Sequence, residues 1–185
     1  MKAMLLTIVA LGVAASPLQD GLPKRLTDAY VRAADWLVSQ QDASGAWKQG
    51  PPDQAQPSLA YTGLIVAALA PELPGSIRSR YKDAVDKGVA YLISKQNSDG
   101  SFGEGPGNAF LKVYTTSIAL MAISLAAPDQ KDAIGNARGY LKSNQLKEGP
   151  DKGSLGYGDK EMKIDQGKPV EKPMIPNLST TGFAA

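Results

Sequence analysis

Residues 36–47, WLVSQQDASGAW, decide the fold, because the chain writes this stretch three times. It returns at 91–102 as YLISKQNSDGSF, and again at 140–157, where YLKSNQ is followed by an insertion and then GSLGY. Each copy runs aromatic, Leu, three residues, Gln, then a Gly and a second aromatic. The sets are Trp36, Gln41, Gly45 and Trp47; Tyr91, Gln96, Gly100 and Phe102; and Tyr140, Gln145, Gly153 and Tyr157. The aromatic–Leu pairs lie 55 residues apart (36 to 91) and then 49 apart (91 to 140). That is the period of a helical array in which each helix pair leaves an apolar face for the next pair to cover.

The sequence between the copies alternates in character. Residues 24–41 carry Leu26, Ala29, Tyr30, Ala33, Trp36 and Leu37 at a spacing of 3.6, an amphipathic helix, and Pro23 marks its start. Pro51, Pro52 and Pro57 predict an irregular connection, after which 58–70 (SLAYTGLIVAALA) is apolar nearly all round and must be buried on most faces. Pro71 and Pro74 end it. The order repeats with an amphipathic stripe through Tyr81, Val85, Val89 and Leu92, a Gly-rich loop, and an apolar helix over 113–127. A third cycle opens at 129–144 and reaches a last apolar stretch at 177–185. Leu64, Val66, Leu69, Ile118, Leu120 and Ile123 are the predicted core between layers.

Composition limits the chemistry. The 185 residues, 43% hydrophobic, suit one domain with a sizeable core. A net charge of +2, with lysines spread along the chain, gives no electrostatic basis for nucleic-acid binding. With no Cys and no His, thiolate and imidazole catalysis and the usual zinc ligand sets are excluded. No cofactor or metal site is expected. Asp159, Glu161 and Asp165 cluster in a loop of 145–176, which reads as a solvated connection rather than a carboxylate pair for acid–base work. The glycines of GSFGEGPGN follow a helix rather than a strand and lack a Lys-Ser/Thr ending, so a phosphate-binding loop is excluded. Lys2, the apolar run 4–14 and the small residues before Ser16 predict a signal peptide over 1–15 and hence export, with a buried first helix as the alternative.

The three copies resemble QW motifs, and the alternation of amphipathic and apolar helices resembles the α/α toroid of the terpene cyclase and prenyltransferase superfamily, squalene-hopene cyclases among them. The resemblance covers 24–185, with repeats at about 24–73, 75–128 and 129–185. It implies an all-α fold of toroid-type repeats, two and a half outer and inner helix pairs of a longer ring. It also implies a structural part for Gln41, Gln96, Gln145, Trp47 and Phe102, since a Gln amide can satisfy unpaired groups at a helix end while a ring covers it. Cyclases of the squalene-hopene type protonate substrate with an Asp in a DxDDT pattern. Aligning its Thr with Thr62, Thr116 and Thr181 puts the Asp positions on Ser58, Ala60 and Tyr61, on Lys112, Tyr114 and Thr115, and on Asn177, Ser179 and Thr180. None is a carboxylate, and the Asp-Cys-His zinc site of protein prenyltransferases has no counterpart either. Two functions follow. One is an exported, non-catalytic scaffold that binds a protein partner or an apolar ligand and self-associates through an open C-terminal end. The other is the N-terminal portion of a terpene cyclase whose acid lies beyond residue 185.

Overall fold

The computed structural model describes residues 24–70, 77–103, 111–156, 161–165, 168–172 and 178–184. The segment 1–15 expected to be a signal peptide, Pro23, Pro71, Pro74, Tyr157, Asp159 and Asn177 lie outside them. The chain is an all-α fold of helices packed against one another. Its helices are α1 (Lys24–Ser39), α2 (Leu59–Leu69), α3 (Ile77–Ser94), α4 (Lys112–Ala126), α5 (Lys131–Ser143) and α6 (Leu178–Ala184).

The apolar helices form a row of their own. α4 lies against α2 on one side and α6 on the other, while α3 and α5 also cover it. A helix covered by four others must be apolar on most faces, which is why its sequence shows no polar stripe although Leu125 is 51% exposed. Val113, Ile118, Ala119, Ala122 and Ile123 are fully or almost fully buried, joined in the core by Val66, Leu69 and Leu92. α2 starts where Ser58, in extended conformation, accepts a hydrogen bond on its side chain from the Tyr61 N–H at 3.3 Å. Leu64 departs from the predicted core at 38% exposed, because it stands with Tyr61 and Ala68 on the side of α2 that faces neither α3 nor α4. α1 departs further. Its only buried residue is Ala34, and Leu26, Ala29, Ala33 and Trp36 of the apolar stripe are exposed.

Two short antiparallel ribbons correct the expectation that the connections are irregular. β1 (Trp47–Gln49) pairs with β2 (Gln56–Ser58), with Lys48 opposite Pro57. Pro57 is tolerated because alternate pairs of an antiparallel ladder exchange no hydrogen bonds and need no donor. Within 145–176, β3 (Glu161–Asp165) pairs with β4 (Lys168–Lys172). The register sets Glu161 opposite Lys172 and Asp165 opposite Lys168.

Candidate functional site

The repeated motif closes the turn after an amphipathic outer helix (α1, α3) and before the apolar inner helix that follows it (α2, α4), where outer and inner name only these two kinds, and its geometry is nearly the same at the first two copies. Past the end of α1, Gln41 Nε2 donates to the carbonyl oxygens of Gly45 (2.9 Å) and Ala84 (2.9 Å), the latter in α3. Past the end of α3, Gln96 Nε2 donates to those of Gly100 (3.1 Å) and Ala133 (2.9 Å), the latter in α5. One amide thus ties its own turn to the next outer helix. The glycines permit the approach. Gly45 and Gly100 have φ of 87° and 86°, and a Cβ would lie 2.5 Å from the Lys87 carbonyl oxygen at Gly45 and 2.3 Å from that of Asn136 at Gly100. A left-handed backbone that also touches a neighbouring main chain leaves room only for glycine.

The second aromatic then locks the turn to the inner helix. The Trp47 N–H donates to Thr62 Oγ1 at 3.0 Å and the Phe102 N–H to Thr116 Oγ1 at 2.8 Å. Both threonines are fully buried, as are Trp47 and Phe102 to within 2%. Trp47 Nε1 also donates to the Leu37 carbonyl oxygen at 2.6 Å, beside the Gln40 N–H at 3.0 Å, which ties the ring to the end of α1.

The third copy places different residues in these parts. The backbone bonds Leu146 N–H to Ser154 O (3.0 Å) and Gly153 N–H to Leu146 O (2.8 Å) repeat the turn, and the Leu155 N–H donates to Thr181 Oγ1 at 3.1 Å. Leu155, 1% exposed, therefore occupies the position of Trp47 and Phe102, which the sequence assigns to Tyr157. A search for an aromatic misses it; the spacing of the residue two past the glycine, and of the recurring Thr, would have found it. Gly153 keeps a φ of 89°, but nothing lies within 4 Å of its Cβ position, and Gln145 is exposed. Among the first aromatics, Tyr91 and Tyr140 are buried while Trp36 is 62% exposed.

Charges reinforce the turns without forming a reactive cluster. Asp99 Oδ1 accepts from the Ser101 N–H (3.0 Å) and hydroxyl (2.5 Å), and Oδ2 from Lys112 Nζ (2.7 Å). Burial alone would raise its pKa, but the bonds from Lys112 and Ser101 and the Lys112 charge outweigh it and hold the carboxyl at about 2. Asp42 is likewise lowered, first by the Ser44 hydroxyl, against burial, with help from the Ser44 and Ala46 N–H groups and Lys48. A cavity of about 640 Å³ opens between the first two turns, lined by Pro57 and Leu59 at the start of α2 and by Tyr91, Lys95, Gln96 and Asn97 near the end of α3. Lys95 is its single charged lining residue among those described, so it offers no carboxylate pair. Ser58 caps α2, Lys112 pairs with Asp99, Tyr114 meets the Phe183 ring edge-on at 5.9 Å, and Thr115 is buried. Among the described residues no group of His, Cys, Asp and Glu could hold a metal ion, and no helix is long and apolar enough to cross a membrane.

No family model matches the chain. It is 30% identical over 123 residues to an ent-copalyl diphosphate synthase of Streptomyces sp. (strain KO-3988), which covers 65% of this chain and 22% of that protein. Copalyl diphosphate synthases of Streptomyces anulatus (33% over 108 residues, 58% and 18% covered) and Streptomyces cyslabdanicus (28% over 109 residues, 58% and 19% covered) are similar in the same degree. The chain is a distant, partial homologue of terpene cyclases. Its matched part spans about a fifth of the length of these relatives.

Proposed function

We propose that this chain is a helical-repeat segment of terpene cyclase type, whose copies act as QW repeats and whose helix pairs build part of an α/α toroid wall around an isoprenoid substrate. The observation that carries the reading is the similarity to the copalyl diphosphate synthases, and the Gln–Gly–Thr turns supply the physical role. In this reading the turns fasten each helix pair to the next, and the apolar inner row presents one side to a hydrocarbon. The segment contributes shape and not the acid, since Ser58, Ala60, Tyr61, Lys112, Tyr114 and Thr115 cannot protonate an alkene.

The test is incubation of the purified chain with squalene and, separately, with an acyclic isoprenoid diphosphate, followed by extraction and mass spectrometry and by a thermal melt with each compound present. We expect no cyclised product and a rise in melting temperature with the isoprenoid. A cyclised product above the buffer control overturns the structural role, and absence of any shift overturns the isoprenoid wall. A second reading, an exported scaffold for a protein partner or an apolar ligand, rests on the apolar run 4–14. Fractionation of expressing cells, with sequencing of the mature N-terminus, decides it.

A further inference from the structure

The cavity of about 640 Å³ between the first two turns has the size of a small-molecule site. Its walls belong to two neighbouring repeats, which the joint from Gln41 to Ala84 holds together. Pro57, Leu59 and Tyr91 give the wall its apolar part, with Leu59 and Tyr91 anchored in the core. Against them stands one charge: Lys95 Nζ lies 5.7 Å from the centre of the Tyr91 ring. The turn does not call for that charge, since the residue before the motif Gln is Gln40 in the first copy and Asn144 in the third. The acids of the two turns are engaged elsewhere. Asp42 accepts from Ser44 and pairs with Lys48, and Asp99 accepts from Ser101 and pairs with Lys112. The last carbonyl oxygens of α3 already accept as well, Tyr91 from the Ser94 hydroxyl, Leu92 from the Lys95 N–H and Ile93 from the Gln96 N–H. Lys95 therefore brings to the cavity an ammonium with no ion pair among the described residues.

We propose that this cavity binds a small organic monocarboxylate with an apolar body, the carboxylate on Lys95 and the body against Pro57, Leu59 and Tyr91. Charge complementarity names the occupant. One cation with no acid beside it matches one negative charge, whereas a phosphate or diphosphate calls for several donors and more than one positive charge. The Gln56 side chain, also in the lining, adds a neutral N–H donor. A few polar groups converging on an apolar wall are the usual make-up of a ligand site. The proposal does not rest on the isoprenoid wall, which uses the inner row.

Octanoate is the probe, and octan-1-ol is the uncharged control with the same chain length. Amide chemical shifts of the isotope-labelled chain locate binding, and calorimetry measures it. We expect octanoate to move the signals of Gln56, Lys95, Gln96 and Asn97, and octan-1-ol to bind at least about tenfold more weakly. Lys95→Met, at an exposed position, keeps an apolar stem and removes the charge. It should leave the melting curve in place and weaken octanoate by about tenfold, while Lys142→Met, exposed on α5, should leave octanoate binding unchanged. Equal binding of octanoate and octan-1-ol overturns the proposal, as does an unchanged affinity in Lys95→Met. Shifts confined to Tyr61, Leu64 and Leu125 on the exposed sides of α2 and α4 overturn it too, and so does the absence of any response to octanoate. A response of the cavity residues to a peptide with a free C-terminal carboxylate but none to octanoate replaces the small molecule by a protein partner.

Discussion

Gly100→Ala is the sharpest probe of how the turns hold the helices together. The substitution places a methyl group 2.3 Å from the Asn136 carbonyl oxygen, on a backbone with φ of 86°. The left-handed conformation alone costs an L-residue about 1–2 kcal/mol. Ordinary contact begins near 3.4 Å, so the turn must also withdraw from α5 by about an ångström. That stretches the 2.9 Å bond from Gln96 to Ala133 beyond hydrogen-bonding reach, at about 0.5–1.5 kcal/mol, and loosens the packing around it. The sum is about 3 kcal/mol, and at roughly 2–4 °C per kcal/mol for a chain of this size the melting temperature should fall by about 6–12 °C. Gly135→Ala is the control. It lies in α5 with nothing within 4 Å of its Cβ position, and should gain about 0.5–1 kcal/mol from helix propensity. Circular-dichroism melts of both variants decide the matter. A loss at Gly100 no larger than about 1 kcal/mol would show that the turn is not seated on α5, and the joint described here would fail with it.

Thr116→Val keeps the volume but removes the acceptor of the buried Phe102 N–H, and should cost about 1–3 kcal/mol in a denaturant titration, with Thr116→Ser milder. Ile118→Ala, at a fully buried position, should cost about 2–5 kcal/mol, while Leu64→Ala on the exposed side of α2 should stay near the ±0.5 kcal/mol of surface changes. Equal losses would refute the orientation of the inner row. Asp99 is depressed in the folded chain, so its contribution is present above the unfolded value near 3.9 and is lost as pH falls toward about 2. Its side chain is 48% exposed, and solvent screening keeps that contribution below about 1 kcal/mol. Asp99→Asn should therefore lower stability at pH 7 and flatten its fall between about pH 4 and pH 2, measured by urea midpoints, relative to the unmodified chain.

Much of the architecture is written in the linear order of residues. The 3.6 spacing through Tyr81, Val85, Val89 and Leu92 and the all-round apolar stretches specify helices and their alternation, because those patterns follow from local geometry and from how much surface each helix must hide. The glycines at 45, 100 and 153 mark the three left-handed turns for the same local reason. What the sequence could not decide is which faces have neighbours. The stripe of α1 has the same periodicity as that of α3, yet Trp36 is exposed where Tyr91 is buried, because burial belongs to the pair of surfaces and not to the helix. A pattern of aromatics does not lead to Leu155, though the spacing from Gly153 does, and the linear order does not show that Thr62, Thr116 and Thr181 receive the backbone N–H groups of Trp47, Phe102 and Leu155. Those bonds join residues 14 to 26 positions apart, and only the packing of the inner helices against the turns brings them within reach.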